Sequence, residues 1–145
     1  MVNYKKLIFK WFNNIQNCLV VDDNSKSRAI LKKITNNLNI NFTGVESGKE
    51  AIELIKNNNE FDLIICDEIG YTSLDQKDAE LLFELLALRT NKSTIIITNL
   101  SFDKWDELFE IKITAITLID RITYNAHIVN MNGPSYRNKK TVKNE

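Results

Sequence analysis

Apolar residues recur along this chain with two periods, and the switches between them mark out its elements. Cys18-Leu19-Val20-Val21 is an unbroken apolar run that reads as a buried strand, and Asn24 to Leu38 follows with Ile30, Leu31, Ile34 and Leu38 on one helical face. Asn39 to Glu46 can form a second strand. Ser47-Gly48-Lys49-Glu50 is a capping-box pattern, and the helix it opens carries Ala51, Ile52, Leu54 and Ile55 inward. Phe61 to Cys66 predicts a third strand. Leu74-Asp75-Gln76-Lys77-Asp78 caps a longer helix to about Arg89, and Ser93 to Thr98, rich in β-branched residues, predicts a fourth strand. A short helix near Trp105 and another over Ala115 to Ile122 lead to a last strand, His127 to Met131, before Gly133-Pro134 turns the chain.

Strands alternating with helices predict a three-layer α/β domain over residues 17–134, with a five-stranded, mostly parallel sheet. Residues 1–16 form an amphipathic leader. Tyr4, Leu7, Ile8, Trp11, Phe12 and Ile15 share one helical face, away from Lys5, Lys6 and Lys10. Such a face packs on its own domain or docks on a membrane surface or partner. Residues 135–145 are a polar tail in which Arg137, Lys139, Lys140 and Lys143 either touch DNA phosphates or stay solvated.

Composition narrows the setting. The 145 residues are 43% apolar and 26% charged, in keeping with one globular domain. Nineteen basic residues balance nineteen acidic ones, so no overall field draws the chain to nucleic acid or membrane. Cys18 and Cys66 lie inside apolar runs without metal-ligand spacing, which predicts buried reduced thiols. No apolar stretch approaches the roughly 20 residues of a spanning helix, and the first residues are too short and interrupted for a signal peptide, so the expected location is cytoplasmic.

In open parallel sheets, ligands bind beyond the carboxyl ends of the strands. The first predicted strand ends in Asp22-Asp23, the third in Asp67-Glu68 and the fourth in Thr98-Asn99. Carboxylates gathered at one edge repel each other unless a hard cation such as Mg²⁺ binds, which makes Asp22, Asp23 and Asp67 candidate metal ligands.

Two resemblances attach to these residues. Leu19-Val20-Val21-Asp22-Asp23-Asn24, Ser47-Gly48-Lys49-Glu50-Ala51 and Phe61-Asp62-Leu63-Ile64-Ile65-Cys66-Asp67 resemble the first half of a CheY-like receiver domain, over about residues 17–67. That resemblance implies Mg²⁺ on Asp22, Asp23 and Asp67, a phosphoryl group accepted by Asp67, and a hydroxyl contribution from Thr98. From Asp67 onward, Asp67-Glu68-Ile69-Gly70-Tyr71, Leu74-Asp75, Ala79-Glu80-Leu81-Leu82-Phe83, Ser93-Thr94-Ile95-Ile96 and Thr98-Asn99-Leu100 resemble IstB-like AAA+ transposition helper ATPases. Phe102, Trp105, Phe109, Asp120-Arg121, His127 and Gly133-Pro134-Ser135-Tyr136-Arg137 extend that match to about residue 140. It implies a Walker B role for Asp67 and Glu68, a γ-phosphate sensor at Thr98-Asn99, and Arg121 as a charge-stabilising arginine.

Both patterns are incomplete. The lysine that receivers carry after their fifth strand has no counterpart, nor has the proline-containing loop after the phospho-acceptor. A phosphate cradle needs G-x-x-x-x-G-K-[ST], and Gly44 to Glu50 has one residue too few between its glycines and an acid in place of the hydroxyl, so ATP binding and hydrolysis are not expected. Receivers order their strands 2-1-3-4-5, whereas AAA+ domains insert the sensor strand between those carrying the two acidic segments; the receiver order is expected here. The functional expectation is a chimera acting as a phosphorelay signalling module, with Asp67 as phospho-acceptor and a histidine kinase or phosphotransfer protein as partner. The alternative is a remnant of an IstB-like ATP-binding transposition helper, with a transposase and DNA as partners, or a relic without activity.

Overall fold

Four parallel strands run side by side in the order β2-β1-β3-β4. In this computed structural model the described residues are 14–57, 60–69, 75–101, 103–105, 109 and 112–130. The strands are β1 (Asn17–Val21), β2 (Asn41–Val45), β3 (Leu63–Ile69) and β4 (Ser93–Thr98), joined in turn by helices α1 (Ser25–Asn37), α2 (Gly48–Lys56) and α3 (Gln76–Leu88), with α4 (Lys112–Thr123) after the sheet. β1 pairs on one side with β2 (Val20↔Gly44) and on the other with β3 (Val20↔Ile65), and β3 pairs outward with β4 (Ile65↔Ile95).

This is the expected receiver-like order. The AAA+ alternative requires β4 between β1 and β3, and the direct β1–β3 ladder excludes it. Among the described residues the sheet has four strands, where five were expected. His127 to Asn130 carries no strand, and its side chains are exposed, with Ile128 at 62% and Val129 at 77%. Met131, the last residue of that expected strand, lies outside the described residues. The segment expected as a strand therefore has no buried face to serve.

Side-chain alternation divides the core between the two faces of the sheet. Leu19, Ile64 and Cys66 face α2 and α3, packing with Ala51, Ile52 and Leu85. On the same side, Ile96 joins a cluster in which Ala79 and Leu82 of α3 meet Trp105, Phe109, Ala115 and Leu118. Cys18, Val20, Leu63 and Ile65 face the other way with Ile15 and Ile40, where α1 packs on them through Leu31. The two cysteines thus lie on opposite sides of the sheet and cannot bond to each other. Burial pushes the Cys18 thiol up to about 11 and the Cys66 thiol up to about 12.

Each of the first three helices starts on a side-chain cap. The Asn24 oxygen accepts from the N–H groups of Lys26 and Ser27, the Ser47 hydroxyl from Glu50, and the Asp75 carboxylate from Asp78. Ser47 also donates to the Glu50 carboxylate at 3.2 Å, and the Glu46 N–H donates to its other oxygen at 3.4 Å. Gly44 to Glu50 is accordingly a strand end running into a capped helix.

Candidate functional site

The carboxyl ends of the parallel strands lie along one edge, and the acidic residues gather there. Asp22 directly follows β1 and is buried, 3% exposed. Its N–H donates to Val45 at 3.1 Å, carrying the β1–β2 ladder one residue further. Its Oδ1 accepts from the Asn24 N–H at 2.7 Å, while Oδ2 is buried without a hydrogen-bond partner. A carboxylate oxygen stripped of water and left unbonded is costly, so this atom calls for a partner such as a cation.

Glu68 reaches the same place through a fault in β3. Between Cys66↔Ile96 and Ile69↔Thr98 the chain advances three residues on β3 and two on β4, so β3 holds one extra residue, a β-bulge. Glu68 takes up the excess at φ 60°, a left-handed conformation uncommon for a residue with a side chain. Its N–H donates to Asp67 Oδ1 at 2.8 Å. Carboxylate oxygens of Asp22, Asp23 and Glu68 then lie within 4.8 Å of one another. Loss of solvent and repulsion from Asp22, Asp67 and Asp23 raise the Glu68 pKa above its ordinary value.

The set that converges is therefore Asp22, Asp23 and Glu68. Of the expected ligands, Asp22 and Asp23 take part, while Asp67 stands beside the cluster with one oxygen engaged by the Glu68 N–H. Among the described residues the ion pairs are Arg28–Glu46 and Lys56–Glu84, and neither neutralises these acids. The Arg28 guanidinium donates to the Asp22 carbonyl at 2.7 Å and to Glu46 at 2.6 Å.

The other candidates are more scattered. Thr98 ends β4 opposite Ile69, its hydroxyl accepting the Leu100 N–H at 3.1 Å, and Asn99 is exposed just beyond. Arg121 belongs to α4, where its guanidinium lies 6.0 Å from the Phe83 ring centroid, so it braces the α3–α4 contact. Gly70, Tyr71, Leu74, Phe102 and residues 131–145, with the basic tail, lie outside the described residues.

Sequence reasoning missed Arg89, at the opposite end of the sheet. It is 4% exposed and donates to the carbonyls of Phe61 (2.5 Å), Asp62 (3.1 Å) and Ser93 (2.6 Å). Its spacing from Leu82 and Leu85 puts it on the inward face of α3, which was the available signal. Among the described residues, no helix is long and apolar enough to cross a membrane.

Comparison with known proteins places these residues in context. The sequence profile described as IstB-like ATP binding protein matches residues 21–144. A protein of Bacillus thuringiensis subsp. berliner named for ATP binding in insertion sequence IS232 is 42% identical over 86 residues, 59% of this chain and 34% of that one. Its counterpart named for insertion sequence IS21 in Pseudomonas aeruginosa is 38% identical over 79 residues, covering 54% and 30%. The chain thus spans about a third of the length of the curated relatives it matches. Among solved structures, a response regulator receiver protein from Pseudomonas putida superposes with a TM-score of 0.51 over 72% of this chain and 79% of that one, at 20% identity. That likeness is one of fold alone.

These findings correct the expected function. The sequence relationship runs to insertion-sequence proteins and begins at Val21, well before Asp67, whereas the receiver likeness is confined to architecture. A phosphorelay role with Asp67 as phospho-acceptor, and with it a histidine kinase or phosphotransfer partner, is withdrawn.

Proposed function

This chain belongs to the family of IstB-like ATP binding proteins, and on that footing we propose that it is a transposition-associated module that partners a transposase and holds a divalent cation at its carboxylate edge. The observation that carries the reading is the family match over residues 21–144, which takes in both β1 and β3 and so the whole acidic cluster. Asp22, Asp23 and Glu68 are the ligands proposed for Mg²⁺, and the unbonded Oδ2 of Asp22 is the observation that fits them to it. When bound, the ion would neutralise the carboxylates and offer open positions to phosphate oxygens. Thr98 and Asn99 end the strand next to β3, and we assign them polar contacts to whatever occupies those positions.

ATP binding by the isolated chain is not part of this proposal. Gly44 to Glu50 forms a strand end and a capped helix, and Glu50, bonded to Ser47, adds negative charge where a phosphate would sit. A nucleotide at this edge would need its phosphate cradle from outside these residues.

Calorimetry on the full chain tests the site. Mg²⁺ should bind saturably, Glu68→Gln and Asp23→Asn should each weaken it, and ATP added with Mg²⁺ should give dilution heats only. Saturable ATP binding would overturn the nucleotide part. The absence of Mg²⁺ binding would overturn the metal site. Co-precipitation with a transposase from an insertion sequence of one of the relatives should succeed whether or not Glu68 is intact, and failure with the wild-type chain would sink the partner assignment.

A further inference from the structure

Asp22 is held on every side but one. Its N–H donates to Val45 across the β1–β2 ladder, its carbonyl accepts from Arg28 Nη1 at 2.7 Å, and its Oδ1 accepts from the Asn24 N–H at 2.7 Å. Oδ2 is buried and has no hydrogen-bond partner. A residue tied at both backbone groups and at one carboxylate oxygen has little freedom to turn, so the remaining oxygen keeps one direction.

Arg28 closes this arrangement from α1. Its backbone N–H donates to the Asn24 carbonyl at 3.1 Å, while its side chain reaches back to the Asp22 carbonyl. The other arm of the guanidinium bonds Glu46 at 2.6 Å, just past the end of β2. Gly44 makes room for the crossing, since a Cβ there would meet the Phe42 ring at 2.9 Å and Arg28 Cδ at 3.4 Å. One planar fork thus spans the ends of β1 and β2, which a lysine ammonium on its flexible stem cannot reproduce. The Arg28 side chain is 17% exposed against 66% for Glu46, so it is more enclosed than the exposed pairs that contribute almost nothing.

On the reading that Asp22, Asp23 and Glu68 hold a divalent cation, we propose that Arg28 is a positioning residue for that site. Through the Asp22 carbonyl and the Asn24 turn it fixes the direction of Oδ2, and it does so without touching the ion.

The sign of its effect separates this role from its charge. A cationic side chain near a cation site repels the ion, so removing the charge alone should tighten binding. Losing the outer partner of a metal ligand should weaken it, typically by about 10-fold or more. Geometry also distinguishes between ions: Mg²⁺ demands near-ideal octahedral ligands, whereas Ca²⁺ accepts irregular ones.

Mg²⁺ and Ca²⁺ titrated calorimetrically into the full chain test the proposal. Arg28→Gln should bind Mg²⁺ roughly 10-fold more weakly than wild type despite the lost positive charge, and its Ca²⁺ affinity should fall less. Arg28→Lys keeps the charge but not the fork, and should also bind Mg²⁺ more weakly, by several-fold. Far-UV dichroism sets the temperature at which both variants are folded for the titrations. Equal or tighter Mg²⁺ binding by Arg28→Gln, wild-type affinity in Arg28→Lys, or an equal loss for both ions would overturn the positioning role and leave the cation site standing. A wild-type chain that binds no Mg²⁺ would overturn the site, and the role of Arg28 with it.

Discussion

Asp62 shows how much one exposed carboxylate can organise. Its Oδ2 accepts the N–H groups of Asn17 and Gln16, both at 2.9 Å, and fixes the entry to β1 against the start of β3. Those bonds, the Asn17 one first, hold its pKa below the ordinary carboxylate value. A carboxyl more acidic in the folded than in the unfolded chain adds stability that is fully present above the unfolded value and is lost as pH falls through the folded one. Asp62→Asn should therefore be less stable than wild type at neutral pH and nearly equal to it in strong acid. Urea midpoints measured between about pH 2 and 7 give that convergence; parallel curves would refute it. Asp22 and Asp23 were legible as edge residues from their place after an apolar run, whereas the meeting of Glu68 with them was not. It depends on the extra residue in β3, and the only outward trace of that bulge is a polar pair at the end of a strand, which any loop could show.

At the scale of elements, caps and periodicity carried most of the information. Asn24, Ser47 and Asp75 begin helices because each offers an oxygen to N–H groups that the first turn cannot satisfy itself. The far end of α3 follows a different rule. Arg89 sits where the helix stops, and its planar fork ties that end to the starts of β3 and β4 through three carbonyls. Arg89→Ala should lower the free energy of unfolding by roughly 3 kcal/mol, since the carbonyls lose their donors in a buried setting. Arg89→Lys should recover only part of it, because one ammonium cannot span the three positions; full recovery in a urea titration would contradict this account. The expected strand at His127 to Met131 failed for a tertiary reason. α4 turns its Ala115 and Leu118 onto α3, and the chain that leaves it runs exposed past Ile128 and Val129 instead of returning to the sheet.

For the whole molecule, strand order was the informative quantity. The two resemblances placed β4 differently, outside β3 or between β1 and β3, and the buried β1–β3 ladder decides for outside. Architecture and ancestry then part company: the arrangement is that of receivers, while the sequence relationship is to insertion-sequence proteins. With four strands in place of five, β4 ends the sheet, and among the described residues nothing hydrogen-bonds along its outer side. Its sequence, Ser93-Thr94-Ile95-Ile96-Ile97-Thr98, has no charge, no proline and mostly β-branched side chains. Proteins ordinarily blunt such a border with charge or a covering segment. A border of this kind without a cover is a growth front on which further chains can stack by backbone pairing alone. Concentrated solutions should slowly acquire thioflavin-T fluorescence, and Ile97→Lys should lengthen the lag; equal lags would show that the border is guarded. On this account the strand order that identifies the fold should also set how long concentrated protein keeps in solution.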